Sequence, residues 1–221
     1  MKVQTKTDSH IKTDVLEELK WEPMVDAVLI GVEVKDGVVT LAGQVDSYAA
    51  KWAAEKAAQR VSGVKALAVE MKVHITGISA RTDTDIARSV ENMLQWTTYL
   101  GKDRIKVMVE DGWVTLSGDV EWGYQRYTAE GAIRYMMGVT GVSNQIIVKP
   151  KVSLVAVKSD IELALKRHAV ANAEKISVDV KGSDITLSGS VHSWSERDTA
   201  RNAAWSTPGV KSVVDNMSIS Y

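Results

Sequence analysis

Residues 36–45 read DGVVTLAGQV, residues 111–120 read DGWVTLSGDV, and residues 183–191 read SDITLSGSV. All three stretches alternate apolar residues with small or polar ones, which is typical of a β-strand with one buried face. The first two open with Asp-Gly, a strong signal for the two-residue turn of a β-hairpin. One structural unit is therefore written three times, and such self-similarity takes precedence over a domain count from chain length.

The residues ahead of each hairpin extend the repeat. Apolar residues spaced by four predict an amphipathic helix at the start of each unit. They recur 75 positions apart in the first two copies: Ile11, Val15 and Leu19, then Ile86, Val90 and Leu94. The third copy follows the same pattern at Ile161 and Leu165, and we expect helix N-caps near Ser9, Thr84 and Ser159.

An alanine-rich helix and a closing strand follow each hairpin. We expect the helix to stop at a left-handed glycine in every copy: Gly63, Gly138 and Gly209. Glycines also fall on the inward face of the second strand, where we expect them to let a helix approach the sheet: Gly43, Gly118 and Gly189. The order of elements within each unit is therefore α-β-β-α-β.

These patterns predict an α+β protein of three tandem α-β-β-α-β units. Each unit is expected to be a small three-stranded mixed sheet packed by two helices. We place the units at residues 8–76, 82–150 and 155–221. Because the joins between them are short and are not rich in Gly or Ser, we expect the units to pack on one another.

Composition restricts the function classes. Lys and Arg number 27 against 28 for Asp and Glu, so the formal net charge of -1 does not favour nucleic-acid binding. The chain contains no cysteine, which removes disulfides and thiolate chemistry. No apolar run reaches about 18 residues, so we expect no transmembrane segment. The N-terminal residues lack the apolar region of a signal peptide, which predicts a cytoplasmic location, or a periplasmic one if a leader has been removed.

Basic residues share one position early in the second helix of each unit, namely Lys51, Arg126 and Arg197. One interpretation makes them anchors for phosphate headgroups or for an acidic partner. The other is that a basic residue there lays its stem over the edge of the sheet or pairs with a neighbouring carboxylate. We favour the second interpretation, because a residue repeated in every copy is usually kept by the fold.

Aromatic residues stand at the corner between the second strand and the second helix. Tyr48 and Trp194 align with each other, and Trp122 and Tyr124 flank the same place in the second copy. Such side chains could insert into a lipid interface or fill the junctions between units, and we favour the junctions. Four further tryptophans are expected in the core or at its rim: Trp21, Trp52, Trp96 and Trp205.

No pattern in the chain favours catalysis. Ser193 follows a histidine, but with Glu196 three residues later it is better interpreted as a capping box that opens a helix. The four histidines share no repeat position and show no metal-ligand spacing. Phosphate-binding loops and nucleophile elbows are also missing from the sequence. We therefore expect no catalytic residue, no metal and no cofactor.

The combination of an Asp-Gly turn, a V-T-L-S-G-x-V strand, an alanine-rich helix and a closing Gly-Val resembles the BON (bacterial OsmY and nodulation) domain. Residues 114–120 and 138–142 carry the resemblance most clearly, while the third copy lacks the Asp-Gly turn and has Pro208 before its closing glycine. The resemblance covers nearly the whole chain in three tandem copies. It implies the α-β-β-α-β fold, a non-enzymatic role in osmotic stress or transport, and binding to phospholipid.

Two hypotheses about function follow. The first is a stress-associated binding or scaffold protein that contacts an anionic phospholipid surface or a protein partner. The alternative is a cytoplasmic sensor of ions or osmotic stress with chaperone-like properties. Under the first hypothesis the candidate ligand-binding residues are the basic and aromatic ones introduced above: Tyr48, Lys51, Trp122, Tyr124, Arg126, Trp194 and Arg197.

Overall fold

The structure is a computed structural model that describes residues 6–97, 104–149, 163, 175–207 and 209–220. The first unit contains α1 (Asp8–Trp21), β1 (Ile30–Lys35), β2 (Val38–Val45), α2 (Tyr48–Arg60) and β3 (Ala66–Val73). The second contains α3 (Asp83–Trp96), β4 (Ile105–Glu110), β5 (Trp113–Val120), α4 (Gly123–Ile133) and β6 (Gly141–Val148). The third contains β7 (Ile176–Lys181), β8 (Asp184–Val191), α5 (Trp194–Trp205) and β9 (Ser212–Ile219). Of its predicted first helix only Leu163 is described, while Ser159, Ile161 and Leu165 lie outside the described residues, as does Pro208.

Each unit contains one three-stranded mixed sheet. The hairpin strands β1 and β2 are antiparallel, and the closing strand β3 lies parallel to β2 on its other side. The second and third units repeat this pairing with the same register. Because a parallel pair needs a crossover connection, the second helix of each unit must pass over one face of its sheet. The predicted α+β class is confirmed.

The hairpin turns have the geometry that Asp-Gly predicts. Asp36 and Gly37 have φ values of 54° and 79°, both in the left-handed region that a type I′ turn requires. The carboxylate of Asp8, in the first turn of α1, accepts hydrogen bonds from both turn amides, at 2.7 and 2.9 Å. Asp83 makes the same pair of contacts in the second unit. In these two units the start of the first helix is thereby tied to the hairpin turn, a role that the pattern of the sequence did not predict.

The glycine on the inward face of the second strand accommodates backbone rather than a helix. A Cβ on Gly118 would lie 2.0 Å from the backbone oxygen of Arg104, just before β4. Its φ of 119° is also one that residues with a side chain rarely adopt. The other two units repeat this contact, from Gly43 to Leu29 and from Gly189 to Lys175. The expectation of a close helix approach at these positions is therefore wrong.

The ends of the helices differ from the predicted ones by a few residues. The N-caps are Thr7 and Thr82, each two residues before the expected cap, and their hydroxyls accept from amides in the first turn. The helix α2 ends at Arg60, so Gly63 lies in the following turn, where its φ is 101°. A Cβ on Gly63 would lie 3.0 Å from the side chain of Ile11, which shows that this glycine lets α1 come close.

The apolar faces of the helices and sheets form two buried clusters. One belongs to the first unit and includes Val15, Leu41 and Ala54. The other joins the second and third units, with Leu116 and Leu187 among its fully buried members. The second and third units therefore share a continuous core, as expected for units that pack on one another.

Candidate functional site

The second helices of the three units meet, and the first residue of each helix contacts the next unit. Tyr48 of α2 packs against the cluster of the second and third units, and its hydroxyl lies beside the backbone of Val142 in β6. Gly123 of α4 lies so close to Trp205 of α5 that an added Cβ would be 2.7 Å from the indole. Trp194 of α5 donates from Nε1 to the carbonyl oxygen of Val64 in the first unit, at 3.1 Å. The contacts thus run from the first unit to the second, to the third and back to the first.

A second set of contacts, one helical turn further along, repeats the same order. The guanidinium of Arg134 in the second unit lies 3.7 Å from the ring centroid of Trp52 in the first. Tyr127 of the second unit meets Trp205 of the third edge to face, with centroids 6.2 Å apart. Asp198 of the third unit forms an ion pair with a lysine of α2. A head-to-tail interface used three times closes into a ring, so the chain is arranged like a cyclic trimer.

A cavity of about 710 Å³ lies where α2, α4 and α5 meet. Its charged lining residues are Lys56, Arg126, Glu130, Arg134, Asp198 and Arg201. Four cations face two carboxylates there, although the chain as a whole has a net charge of -1. The cavity is therefore a local concentration of positive charge, which low-dielectric walls strengthen.

Burial perturbs three ionisable groups near these junctions. Loss of solvent raises the pKa of Tyr48, and the charges of Glu130 and Glu55 raise it further. Burial likewise raises the pKa of Tyr127. The pKa of Glu55, on α2, is raised by burial, which outweighs the opposing attraction of Lys51 and Lys56. Of the three groups, only the Glu55 carboxyl has an ordinary pKa that lies in the acidic range, so it alone links stability to mildly acidic pH.

Replacing Glu55 tests this linkage. Because its pKa is raised in the folded state, the folded protein binds this proton more tightly than the unfolded chain does. Proton binding by Glu55 therefore adds to the free energy of unfolding below the pKa of the unfolded state. This addition is lost as the pH rises through the higher pKa of the folded state. Glu55→Gln, neutral at every pH, should therefore raise the Tm relative to the parent at pH 7 and give little gain at pH 4.

Thermal melts at the two pH values measure this difference. Glu17→Gln provides the matched control, because it removes a more exposed carboxylate that pairs with Lys20 on the surface of α1. An equal change in Tm at pH 4 and pH 7 for Glu55→Gln would show that burial does not govern this carboxyl.

The three basic residues predicted as ligand anchors occupy equivalent positions, and the two arginines among them form hydrogen bonds within their own units. Arg197 donates from Nε to Asp215 of β9 at 2.8 Å, and Arg126 donates to the backbone oxygen of Asn144 in β6 at 3.2 Å. Each arginine thereby ties its second helix to the closing strand. Lys51 is half-buried at the equivalent place on α2. A role for these residues in lipid binding stays a prediction, while the two arginine contacts match the structural interpretation that we favoured.

The predicted aromatic residues do not form one patch. Tyr48 and Trp194 are half-buried in the junctions between units, as we favoured. Trp122 and Tyr124 are 36% and 40% exposed, with ring centroids 6.5 Å apart. Ser193 caps α5 by accepting from the amide of the third residue of the helix, so it acts as the predicted cap.

Two tryptophans expected in the core or at its rim are the most exposed aromatic residues described. Trp21 is 81% exposed and Trp96 is 87% exposed, and each is the last residue of the first helix of its unit. They are equivalent repeat positions, and a cyclic arrangement places equivalent positions at the same height around its axis. Trp21 stands two residues after Leu19, off the buried stripe that repeats every four residues. That displacement is the signal in the sequence that could have revealed their exposure.

The described residues contain neither a metal-binding cluster nor a membrane-spanning helix. Within the described residues, no group of three or more His, Asp or Glu side chains is placed to hold a metal ion. None of the helices in the described part of the chain combines the length and apolar character needed to cross a bilayer.

The fold and the junctions define a class of protein: three copies of one α-β-β-α-β unit closed on one another through their second helices. The family model described as "BON domain" matches residues 7–74, 82–150 and 154–221. The chain therefore belongs to the BON-domain family, as its sequence patterns indicated.

Several known proteins are similar to this chain. Osmotically-inducible protein Y of Escherichia coli (strain K12) is 30% identical over 148 residues, covering 64% of this chain and 73% of that protein. CdsD, a structural protein of the type III secretion system of Chlamydia trachomatis, is 14% identical, with 94% of this chain and 91% of that chain covered and a TM-score of 0.26. The periplasmic domain of the type III secretion inner membrane protein PrgH from S. typhimurium is 12% identical, with 86% and 99% covered and a TM-score of 0.23. At such low TM-scores these two structures say nothing about what this chain does.

Proposed function

We propose that this protein is a non-enzymatic, stress-associated binding protein whose ring of three BON units docks on a phospholipid surface through Trp21 and Trp96. The stress association follows from the similarity to osmotically-inducible protein Y. The observation that carries the docking is the exposure of these two indoles, at 81% and 87%, at equivalent positions of two units. Equivalent positions in a ring can reach one flat surface together.

The surface formed by Trp21 and Trp96, called the tryptophan rim below, has side chains that suit a lipid interface. Tryptophan concentrates at the boundary between headgroups and acyl chains, where the ring is buried and the N–H stays hydrated. In the first unit the apolar residues Met24, Val28 and Leu29 follow the indole in the chain, and they are 45%, 92% and 56% exposed. These side chains add exposed apolar surface to the segment that follows Trp21.

Ion pairs next to Trp21 reduce the negative charge that an anionic lipid would meet. Arg60 reaches across from α2 and pairs with Glu18 at 3.1 Å and with Glu22 at 3.4 Å. This one guanidinium offsets one of the two carboxylate charges, so the three groups together carry a net charge of -1. Surface pairs of this kind contribute little to stability, but they lower the local negative charge that an anionic lipid would meet.

Vesicle flotation tests the proposal. The parent protein should float at low ionic strength with vesicles that contain anionic phospholipid. The double variant Trp21→Ala and Trp96→Ala should lose about tenfold or more of the bound fraction, because each buried indole contributes on the order of 1–2 kcal/mol. Both residues are exposed, so the variant should keep the melting temperature of the parent.

A second double variant distinguishes Trp21 and Trp96 from the two exposed aromatic residues among the candidates of the sequence analysis. Trp122→Ala with Tyr124→Ala removes the other exposed aromatic pair and should leave flotation unchanged. If flotation depends on Trp122 and Tyr124 instead, the docking surface lies at the start of α4. Failure of the parent protein to float would exclude the lipid surface and leave a protein partner as the ligand of the rim.

The compartment belongs to the same proposal. We propose the periplasmic alternative rather than the cytoplasmic location expected from the N-terminal residues, and fractionation of the host cells tests it. The alternative function, a sensor of ions or osmotic stress, stays a prediction because no contact among the described residues bears on it.

A further inference from the structure

We propose that the cavity between α2, α4 and α5 is a binding site for a phosphate monoester that carries a small organic group. The cavity is distinct from the exposed tryptophan rim, and it is formed by residues of all three units: Lys56 from the first, Arg126 and Arg134 from the second, and Arg201 from the third. A ligand held there would contact every unit of the ring at once.

The excess positive charge of the cavity is not neutralised by its own carboxylates. Asp198 is shared between Lys56 and Arg201, the latter at 3.0 Å. Glu130 lies 3.8 Å from Arg134, beyond hydrogen-bond distance. Arg126 donates to a backbone oxygen, which does not cancel its charge. Two carboxylates thus serve four cations, and a ligand with two negative charges would restore the balance.

Two of the arginines also hold unused donors. The Nε atoms of Arg134 and Arg201 are buried and have no hydrogen-bond partner among the described residues. An unsatisfied buried donor is costly, and a native structure contains few of them. A phosphate oxygen pair that engages a guanidinium through its fork would satisfy such donors once the side chain turns toward it.

The charge and the size of the cavity select the ligand class. A phosphate monoester carries close to two negative charges at neutral pH, whereas a carboxylate carries one. The volume of about 710 Å³ lies within the range of small-molecule sites, so it exceeds what phosphate alone would fill. Trp52, Tyr127 and Trp205 also line the cavity and offer apolar surface to an organic group.

Titration with glycerol 3-phosphate tests the proposal on the full chain. The compound should raise the melting temperature by mass action beyond the effect of sodium chloride at matched ionic strength. It should also change the tryptophan fluorescence, because Trp52 and Trp205 line the cavity. Arg134→Gln and Arg201→Gln should each weaken binding by about tenfold or more, since each removes a charge-assisted contact.

Matched controls separate this site from general electrostatics. Arg104→Gln removes one arginine that pairs with Glu121 at 2.9 Å outside the cavity, and it should leave binding unchanged. If Arg134→Gln does not fold, Arg134→Lys keeps the charge, removes the fork and should still weaken binding. The side chain of Arg201 is 41% exposed, so its replacement provides an independent test.

The monoester could be free or part of a lipid headgroup, and a second arm distinguishes these sources. Vesicles that contain phosphatidic acid present the same group on a membrane. A response to glycerol 3-phosphate assigns the site to a soluble ligand. A response to the vesicles alone, lost in Arg134→Gln and kept in the Trp21→Ala and Trp96→Ala variant, assigns it to the headgroup. No response in either arm, or equal weakening by Arg104→Gln, would overturn the proposal.

Discussion

Gly118→Ala is expected to lower the free energy of unfolding by roughly 3 kcal/mol or more, since it combines backbone strain with a clash. The added methyl would lie 2.0 Å from the backbone oxygen of Arg104, so the two strands of the hairpin must move apart. The φ of 119° adds a strain that alanine cannot relieve without changing the path of β5. Urea unfolding followed by far-UV circular dichroism measures the loss.

Gly131→Ala is the matched control in the same unit. This glycine lies within α4, and an added Cβ would meet no atom within 4 Å. Alanine is a better helix former than glycine, so this substitution should stabilise the protein by about 0.5–1 kcal/mol. A Gly118→Ala variant that unfolds at the same urea concentration as the parent would contradict the strand-contact role of this glycine.

The local parts of the fold could be predicted because their causes lie close together in the sequence. The Asp-Gly pairs require left-handed φ angles, and alternation over eight residues defines a strand face. The glycine of the second strand was predicted as a position where something comes close, but the neighbour was wrong. The pattern shows that a side chain is excluded at Gly43, whereas only strand pairing shows that the backbone at Leu29 excludes it.

The closed ring of three units was not predicted, although Tyr48 and Trp194 were expected at the junctions, because the third equivalent position holds a glycine. The equivalent positions at the start of α2, α4 and α5 are occupied by Tyr48, Gly123 and Trp194. The aromatic side chains of Tyr48 and Trp194 each contact the neighbouring unit. At the third position the contact is reversed, because Trp205 of the neighbouring unit packs against Gly123. All three contacts fill a junction between two units, so the structural role recurs at this position although the residue type does not.

Arg134 and Arg201 of the cavity escaped prediction for a related reason, whereas Arg126 and Tyr124, which also line it, were among the candidates. Arg134 is equivalent to Gln59 in the first unit, and Arg201 is equivalent to Glu55, so neither basic residue recurs across the copies. A search for residues kept in every copy selects those that hold each unit together, as Arg126 and Arg197 do through their closing strands. Residues that line the junction of the three units, such as Arg134 and Arg201, need to occur in only one unit. They are therefore recognised from the structure of the junction and not from the repeat pattern.

Trp205→Ala is expected to lower the free energy of unfolding by about 3–5 kcal/mol, the range for removing a large aromatic side chain from a core. The indole is buried in the cluster that joins the second and third units, and it contacts both Tyr127 and Gly123. Its removal should therefore open the junction and also expose the end of α5. Faster proteolysis within the third unit should accompany the lower unfolding midpoint.

Trp21→Ala is the control for this loss, because it removes the same side chain from an exposed position. At 81% exposure the indole contributes little to the folded state, so stability should change by less than about 0.5 kcal/mol. Equal losses for the two variants would mean that Trp205 does not hold the junction. A large loss of stability for Trp205→Ala alone would show that the third unit depends on the second for its stability. The reason is that Trp205 belongs to the core of the third unit and also contacts the second unit.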